Sequence, residues 1–476
     1  MELLNGLNRQ QREAVCRIEG PSLIIAGAGT GKTKVITHRV AYLIKNGVDP
    51  RRILAVTFTN KAAQEMKERI AGLNLLSDFN KTKYLMPTIG TFHSIAAEIL
   101  RNYGKQIGIP SSFSILDEHQ SLEIIKSSVE KLGLDTRQFQ PPMIQSFISR
   151  KKSRINQNSN ENFSPNTFPD TLNTIQEKYD KYLKKQNALD FDDLIQKTVF
   201  LFEQKPEILK IYQGKWPYIH IDEYQDTNNA QYHLIFLLAQ AQNNICAVGD
   251  DDQSIYGFRG ADFRNILNFE KTWPDAKIIT LERNYRSSQK ILDAANAVIE
   301  KNAMRRKKNL FTKENVGRKL MVFEARNEKE EANFVAQKIK QLFQKKLSSV
   351  AILCRTNSQF QSFEEALANH SIPYQAATSQ DSLAITDFRP VRLMTVHAAK
   401  GLEFENVFIP GLEKGLFPHF GGEKEEERRL FYVALTRAQK GVFLSFCRFR
   451  TAFGAKQINQ PSQFLLDIPQ NLIKWL

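Results

Sequence analysis

Residues 21–45 read PSLIIAGAGTGKTKVITHRVAYLIK, and the order of their chemistry decides the fold. SLIIA is short and apolar and is bounded by Pro21 and a glycine, the marks of a buried strand. The glycines that follow make a turn, and KVITHRVAYLIK spaces its apolar residues at helical intervals. From Ala26 to Thr33 the chain has the form A-x-x-x-x-G-K-T. In such a loop the small residues Ala26, Gly27, Ala28, Gly29, Thr30 and Gly31 let backbone N–H groups curl around phosphate. Lys32 supplies positive charge, and the Thr33 hydroxyl reaches Mg²⁺.

The same alternation returns in both directions along the chain. RRILAVTFTNKAAQEMKERI (51–70) places a β-branched run before Asn60, read as a helix cap, and YIHIDEYQDTNNAQYHLIFLLAQ (218–240) and NNICAVGDDDQ (243–253) repeat strand, loop and helix. These segments predict an α/β fold with a parallel sheet and functional loops at the strand ends. Between about Tyr103 and Ala188 the texture becomes helical, broken at Pro141-Pro142 and by the polar stretch KKSRINQNSNENFSPNTFPD, which predicts an inserted helical subdomain with an exposed loop. Beyond Leu281, VRLMTV and NVFIPG read as strands and EEERRLFYVALTRAQ as a helix feeding the strand GVFLSF, which predicts a second α/β domain.

Composition sets the outer bounds. The 476 residues correspond to roughly three domains, and 42% apolar with 25% charged residues is ordinary for packed globular chains. Lys and Arg number 66 against 51 Asp and Glu, and the net charge of +15 favours a polyanionic partner. Cys16, Cys246, Cys354 and Cys447 are scattered without a CxxC pair, which argues against a disulfide framework or zinc site and for a reducing cytosol. No basic leader precedes an apolar core and no apolar run approaches about 18 residues, so neither export nor membrane insertion is expected.

A phosphate loop needs a carboxylate on the metal side and a group that orients the attacking water. Asp222 and Glu223 follow the apolar strand YIHI and are candidates for those two tasks; a solvated acidic turn is the plainer reading of that segment taken alone.

Nine blocks now stand in one order: LNRQQREAV, AGAGTGKT, TFTNKAAQEM, GTFHS, IDEYQD, VGDDDQSIYGFRGAD, LERNYRS, VRLMTVHAAKGLEF and EERRLFYVALTRA. Spanning nearly the whole chain, the set resembles the superfamily-one DNA helicases of the UvrD, Rep and PcrA type. That resemblance implies two RecA-like motor domains, 1A (1–105 and 189–280) and 2A (281–476), with a helical subdomain 1B (106–188). It also implies ATP and Mg²⁺ as cofactors. Gln11 matches the reader of the adenine edge, and Arg39 and Tyr285 match the pair that sandwiches its ring. Lys32 and Thr33 match the phosphate and metal contacts, Asp222 the metal-side acid, Glu223 the catalytic base, Gln253 the γ-phosphate sensor and Glu403 the ribose contact. Arg286 and Arg437 match two arginine fingers, residues that would otherwise default to surface ion pairs.

On the DNA side, Phe58, Phe191, Tyr256 and Phe258 match the aromatics that contact bases, with Thr91, His93, Arg259 and His397 at neighbouring strand contacts. An aromatic accepts any base, as a motor requires; alone, Phe58 or Phe191 would be read as core packing. The family usually has Trp where this chain has Phe258, which implies a smaller stacking platform. The implied partners are single-stranded and 3′-tailed duplex DNA, with 3′ to 5′ movement and work of the DNA-repair kind. Relatives carry a large helical insertion, 2B, after the segment AILCRTNSQFQSFEEALANHSIPYQ; here only a short linker near 376–390 is seen, and 106 positions separate Arg286 from Arg392. The chain also stops soon after PSQFLLDIP, where many relatives extend. A stripped motor is therefore expected, with unwinding either intrinsic or supplied by a protein partner. A nucleotide-gated DNA-binding accessory subunit that regulates another enzyme is the alternative.

Overall fold

The structure, a computed structural model, describes residues 2–73, 86–153, 169–344, 349–377, 390–452 and 455–476. The chain divides into two compact units. The first comprises Met1–Ile25, Thr33–Gly249 and Tyr256–Ile279, and the second Ala26–Lys32, Asp250–Ile255 and Thr280–Leu476.

The sheet of the first unit uses β1 (Ser22–Ala26), β2 (Ile53–Thr57), β3 (Thr88–Thr91), β6 (Tyr218–Ile221), β7 (Ile245–Gly249) and β8 (Lys277–Leu281), with β4 (Ser114–Ile115) and β5 (Ala188–Leu189) forming a separate parallel pair. The sheet order is β3-β2-β6-β7-β1-β8, and the pairings from β3 through to β1 are parallel. Every residue of β1, β2 and β7 is buried, as expected where helices cover both faces and the strands read as unbroken apolar runs. Leu23, Ile25, Leu54, Val56, Ile219 and Ile221 share one core with Phe92, Ile95 and Leu194 from the covering helices.

The helix after β1 runs Lys32–Lys45 and the one after β2 runs Asn60–Ala71. Its cap is Thr59, whose hydroxyl accepts from Ala62 N at 3.1 Å, so Asn60 is the first helical residue rather than the cap. The helical insertion is built from Glu118–Glu130, Pro141–Ser153 and Pro169–Lys185, which close their own core around Ile125, Val129, Ile144, Ile148, Ile175 and Tyr179. Pro141 opens the second of these helices, where its missing N–H costs nothing. Most of the loop expected between the second and third lies outside the described residues.

The second unit holds β9 (Leu320–Ala325), β10 (Val350–Cys354), β11 (Tyr374–Ala377), β12 (Val391–Thr395), β13 (Phe404–Ile409), β14 (Ala438–Cys447) and β17 (Ile473–Trp475) in a parallel sheet of order β11-β12-β10-β13-β14-β9-β17. β15 (Phe449–Ala452) and β16 (Ala455–Ile458) form an antiparallel hairpin. The helix Lys424–Thr436 feeds β14, as its sequence predicts. The short linker near 376–390 lies almost wholly outside the described residues.

Candidate active site and nucleic-acid interface

In the second unit the glycine-rich loop rests on the segment 284–286. Asn284 Nδ2 donates to Ala28 O at 2.6 Å, Tyr285 N to Gly29 O at 2.9 Å, and Thr30 Oγ1 to Gly27 O at 2.8 Å. Gly29 (φ +66°) and Gly31 (φ +90°) take the left-handed conformation that favours glycine. A Cβ on Gly29 would stand 2.6 Å from Asn284 Nδ2, and one on Gly27 would stand 2.4 Å from Leu310 Cδ2. Lys32 Nζ is 3.4 Å from Ala26 O.

Asn284, which the sequence reading left without a role, is the bracket of this arrangement. Its Oδ1 accepts from both Arg286 N and Ser287 N at 2.7 Å while its amide holds the loop. The signal was its place inside the quoted LERNYRS block. The Arg286 guanidinium pairs with Glu403 at 2.7 Å, and Glu403 also accepts from Gln439 Nε2 at 3.0 Å. The expected finger and the expected ribose contact thus hold one another. Tyr285 is 44% exposed with the Arg283 guanidinium 4.9 Å from its ring centre.

Arg437, 1% exposed, donates to Val433 O and Leu402 O at 3.1 Å and to Gln253 Oε1 at 3.4 Å. The Gln253 side-chain amide nitrogen donates to Asp250, and the Gln253 backbone carbonyl accepts from Lys400 Nζ at 2.7 Å. Burial would raise the Asp250 carboxyl, but Lys308 and Lys32 hold it below its usual range.

In the first unit Asp222 directly follows β6, buried, with its backbone N–H on Val56 O at 2.9 Å. Glu223 follows in the left-handed region at φ +52°, a conformation that costs a non-glycine residue on the order of 1 kcal/mol and gathers at functional sites. Gln225 Nε2 donates to its carboxylate. Thr33 lies in the first turn of the helix that leaves the phosphate loop. Gln11 Oε1 accepts from Asn8 N at 3.0 Å, closing a capping box on the helix Arg9–Cys16.

Arg39 requires a correction. Only 2% exposed, it donates to Ala14 O at 2.7 Å and lies among groups that include His220 and Cys246, so its planar face is enclosed by protein and braces the Arg9–Cys16 helix instead of offering itself to a base ring. The cation nearer the loop on that helix is Lys34, whose Nζ donates to Gly6 O at 3.0 Å.

Of the expected DNA contacts, two groups assemble within the first unit. His93 and Phe191 have ring centres 5.3 Å apart, and burial pushes His93 down to about 4, so it is neutral at pH 7. Tyr256 and Phe258 are 6.1 Å apart with the Arg259 guanidinium 5.7 Å from the Phe258 ring, which is 54% exposed. Phe58 packs edge-on against Phe92 at 5.3 Å and is partly core. Thr91 caps the helix Phe92–Tyr103 through a box with Ser94. His397 follows β12 in the second unit.

Among the described residues, Glu331, Glu413 and Cys447 have the spacing of a metal site, but the Arg450 guanidinium lies 2.7 Å from both carboxylates and already serves as their cation. No helix among the described residues is long and apolar enough to cross a membrane.

Comparison with known proteins places the chain in a family. The UvrD/REP helicase N-terminal domain matches residues 7–274, and the UvrD-like helicase C-terminal domain matches 279–383 and 376–449. The chain is 34% identical to the ATP-dependent DNA helicase PcrA of Staphylococcus epidermidis, over 99% of this chain and 87% of that protein, and the PcrA of Staphylococcus aureus gives the same identity and coverage. The first of these alignments has 642 positions, of which 99% of 476 residues fills about 471; about 171 belong to the relative alone. Among solved structures, the C-terminal domain of a possible DNA helicase from Lactobacillus plantarum aligns with 40% of this chain and 98% of its own at 18% identity and a TM-score of 0.30, a likeness too slight to bear on the fold. With a matching domain over more than half its length and relatives at 34% identity aligned with 99% of it, the chain belongs to the UvrD/REP helicase family.

Proposed function

We propose that this chain is an ATP-dependent DNA helicase that moves 3′ to 5′ along single-stranded DNA, with 1A (1–105 and 189–280) and 2A (281–476) as its motor domains and 1B (106–188) inserted in the first. Helicase activity fueled by ATP follows from the family. The observation that carries the mechanistic reading is the chain of contacts from the phosphate loop through Asn284 to Arg286, and from Gln253 to Arg437.

In this reading Lys32 and the backbone N–H groups of residues 27–33 bind the nucleotide phosphates. Glu223 orients and deprotonates the attacking water, and Gln253 senses the γ-phosphate. Arg286 and Arg437 neutralise charge that develops on the transferred phosphoryl group, worth about 10³–10⁵ in rate in comparable enzymes. Gln11 and Tyr285 hold the base, and Glu403 exchanges Arg286 for the ribose. Thr33 and Asp222 supply a hydroxyl and a carboxylate oxygen, ligands that suit a hard cation, and would hold Mg²⁺. When bound, that ion offsets charge on the β- and γ-phosphate oxygens.

Phe191, Tyr256 and Phe258 provide stacking faces, with Phe58, Thr91, His93, Arg259 and His397 along the strand. The roughly 171 positions present only in the relative, and the division of the C-terminal match near 376–383, support the absence of 2B. The test is strand displacement on 3′-tailed against 5′-tailed duplexes, with wild type beside Lys32→Ala and Arg437→Ala. Activity confined to the 3′ tail and lost in both variants is expected; activity confined to the 5′ tail rejects the polarity.

A further inference from the structure

Lys308 belongs to none of the nine sequence blocks, yet its ammonium group is 1% exposed and touches three carboxylates: Asp250 at 2.8 Å, Asp251 at 2.8 Å and Asp252 at 2.7 Å. A lysine ammonium has three N–H donors and no acceptor, so one donor serves each aspartate and none remains. Arg305 adds a two-pronged contact to Asp252 at 2.9 and 2.7 Å, and Arg306 N donates to Asp251 at 2.7 Å. The loop Asp250–Asp252 is thus held from the segment 305–308 by charge-assisted bonds in a dry setting, where such bonds are strongest.

What lies downstream is Gln253. With Asp250 Oδ1 turned to Lys308, Asp250 accepts from the Gln253 amide nitrogen, and Gln253 Oε1 accepts from Arg437 at 3.4 Å. A carboxylate only accepts, so Asp250 dictates which end of the amide faces it. The nitrogen turns to Asp250 and the oxygen to Arg437, leaving one N–H for a further acceptor.

We propose that Lys308 is a positioning residue for ATP hydrolysis: by fixing Asp250 it holds the Gln253 amide in the one orientation that presents its second N–H to the γ-phosphate and its oxygen to Arg437. The proposal rests on the reading of Gln253 as the γ-phosphate contact.

The test is a double-mutant cycle on the full chain, with ATP turnover measured in the presence of oligo-dT for wild type, Lys308→Met, Gln253→Ala and the double variant. Lys308→Met should lower kcat by about tenfold or more while KM for ATP stays within about twofold. The double variant should be no slower than Gln253→Ala alone, because a residue that acts through Gln253 has nothing left to position. A kcat for Lys308→Met within twofold of wild type, or losses that multiply in the double variant, overturns the proposal and leaves the reading of Gln253 standing. Undiminished turnover in Gln253→Ala overturns that reading and the proposal together. Should Lys308→Met not fold, Lys308→Arg enters the same cycle with the same outcomes, since it keeps the charge but cannot set one N–H on each of three carboxylates.

Discussion

Two buried lysines in this protein each face three aspartates, and they are built differently. Lys308, in the second unit, is sealed: Asp250, Asp251 and Asp252 are all at most 1% exposed. Lys152, in the first, pairs with Asp190 at 2.7 Å, Asp193 at 3.0 Å and Asp180 at 3.4 Å, and Asp180 is 46% exposed. Asp190 also caps the helix Phe191–Gln204 and accepts from Tyr179 at 2.9 Å, so this clamp ties the inserted helices to the helix that begins with Phe191. Burial together with Asp190 raises Asp192 and Asp193 to about 6. Burial raises Asp251 in the closed clamp as well, and what sets that clamp apart is a second cation, Arg305, paired with Asp252.

The contrast can be broken most forcefully by removing each lysine. Lys308→Met strands buried carboxylates and should cost about 3–5 kcal/mol, and Lys152→Met less, because Asp180 can turn to water. Hydrogen exchange read separately over the two units checks this, and equal losses would erase the distinction. Lowering the pH from 7 to 5 should recover part of the Lys152→Met loss through protonation of Asp192 and Asp193.

Asp192→Asn tests the same chemistry in the opposite direction. Its folded-state carboxyl, at about 6, lies above the ordinary aspartate value of 3.8, so it stabilises the fold fully only below the lower value and loses that contribution as pH rises through 6. The variant should therefore be more stable than wild type by on the order of 1–3 kcal/mol at pH 7, with the gain vanishing near pH 4 in paired melting curves. A pH-independent difference would remove Asp192 from the account. The mildest sharpening concerns DNA. Phe258→Ala should weaken oligo-dT binding by about 1–3 kcal/mol, seen in fluorescence anisotropy, with melting unchanged because the ring is exposed; uncoupling of DNA from ATP turnover should accompany it.

Both parallel sheets were legible because β1, β2, β7 and the second half of β14 are apolar runs bounded by loop chemistry, and the helix before β14 carries its own apolar period. The phosphate loop was legible for the same reason: its spacing is local. Arg39 misled because a helical arginine looks the same in sequence whether it faces a ring or Ala14 O. Asn60 misled because Thr59, its neighbour, can cap as well. Lys308 was invisible, since nothing in RRKKN indicates which cation turns inward to carboxylates more than fifty residues earlier.

Asn284 and Tyr285 grip the phosphate loop by the carbonyls of Ala28 and Gly29, atoms every amino acid possesses. A library randomised over positions 27 and 28 should accordingly be filtered by volume, with survivors sorted by how little space they occupy and hardly at all by polarity, while the left-handed backbone at 29 keeps glycine there. That is a form of molecular tolerance in which an alanine can stand at position 26 where a stricter signature would have glycine.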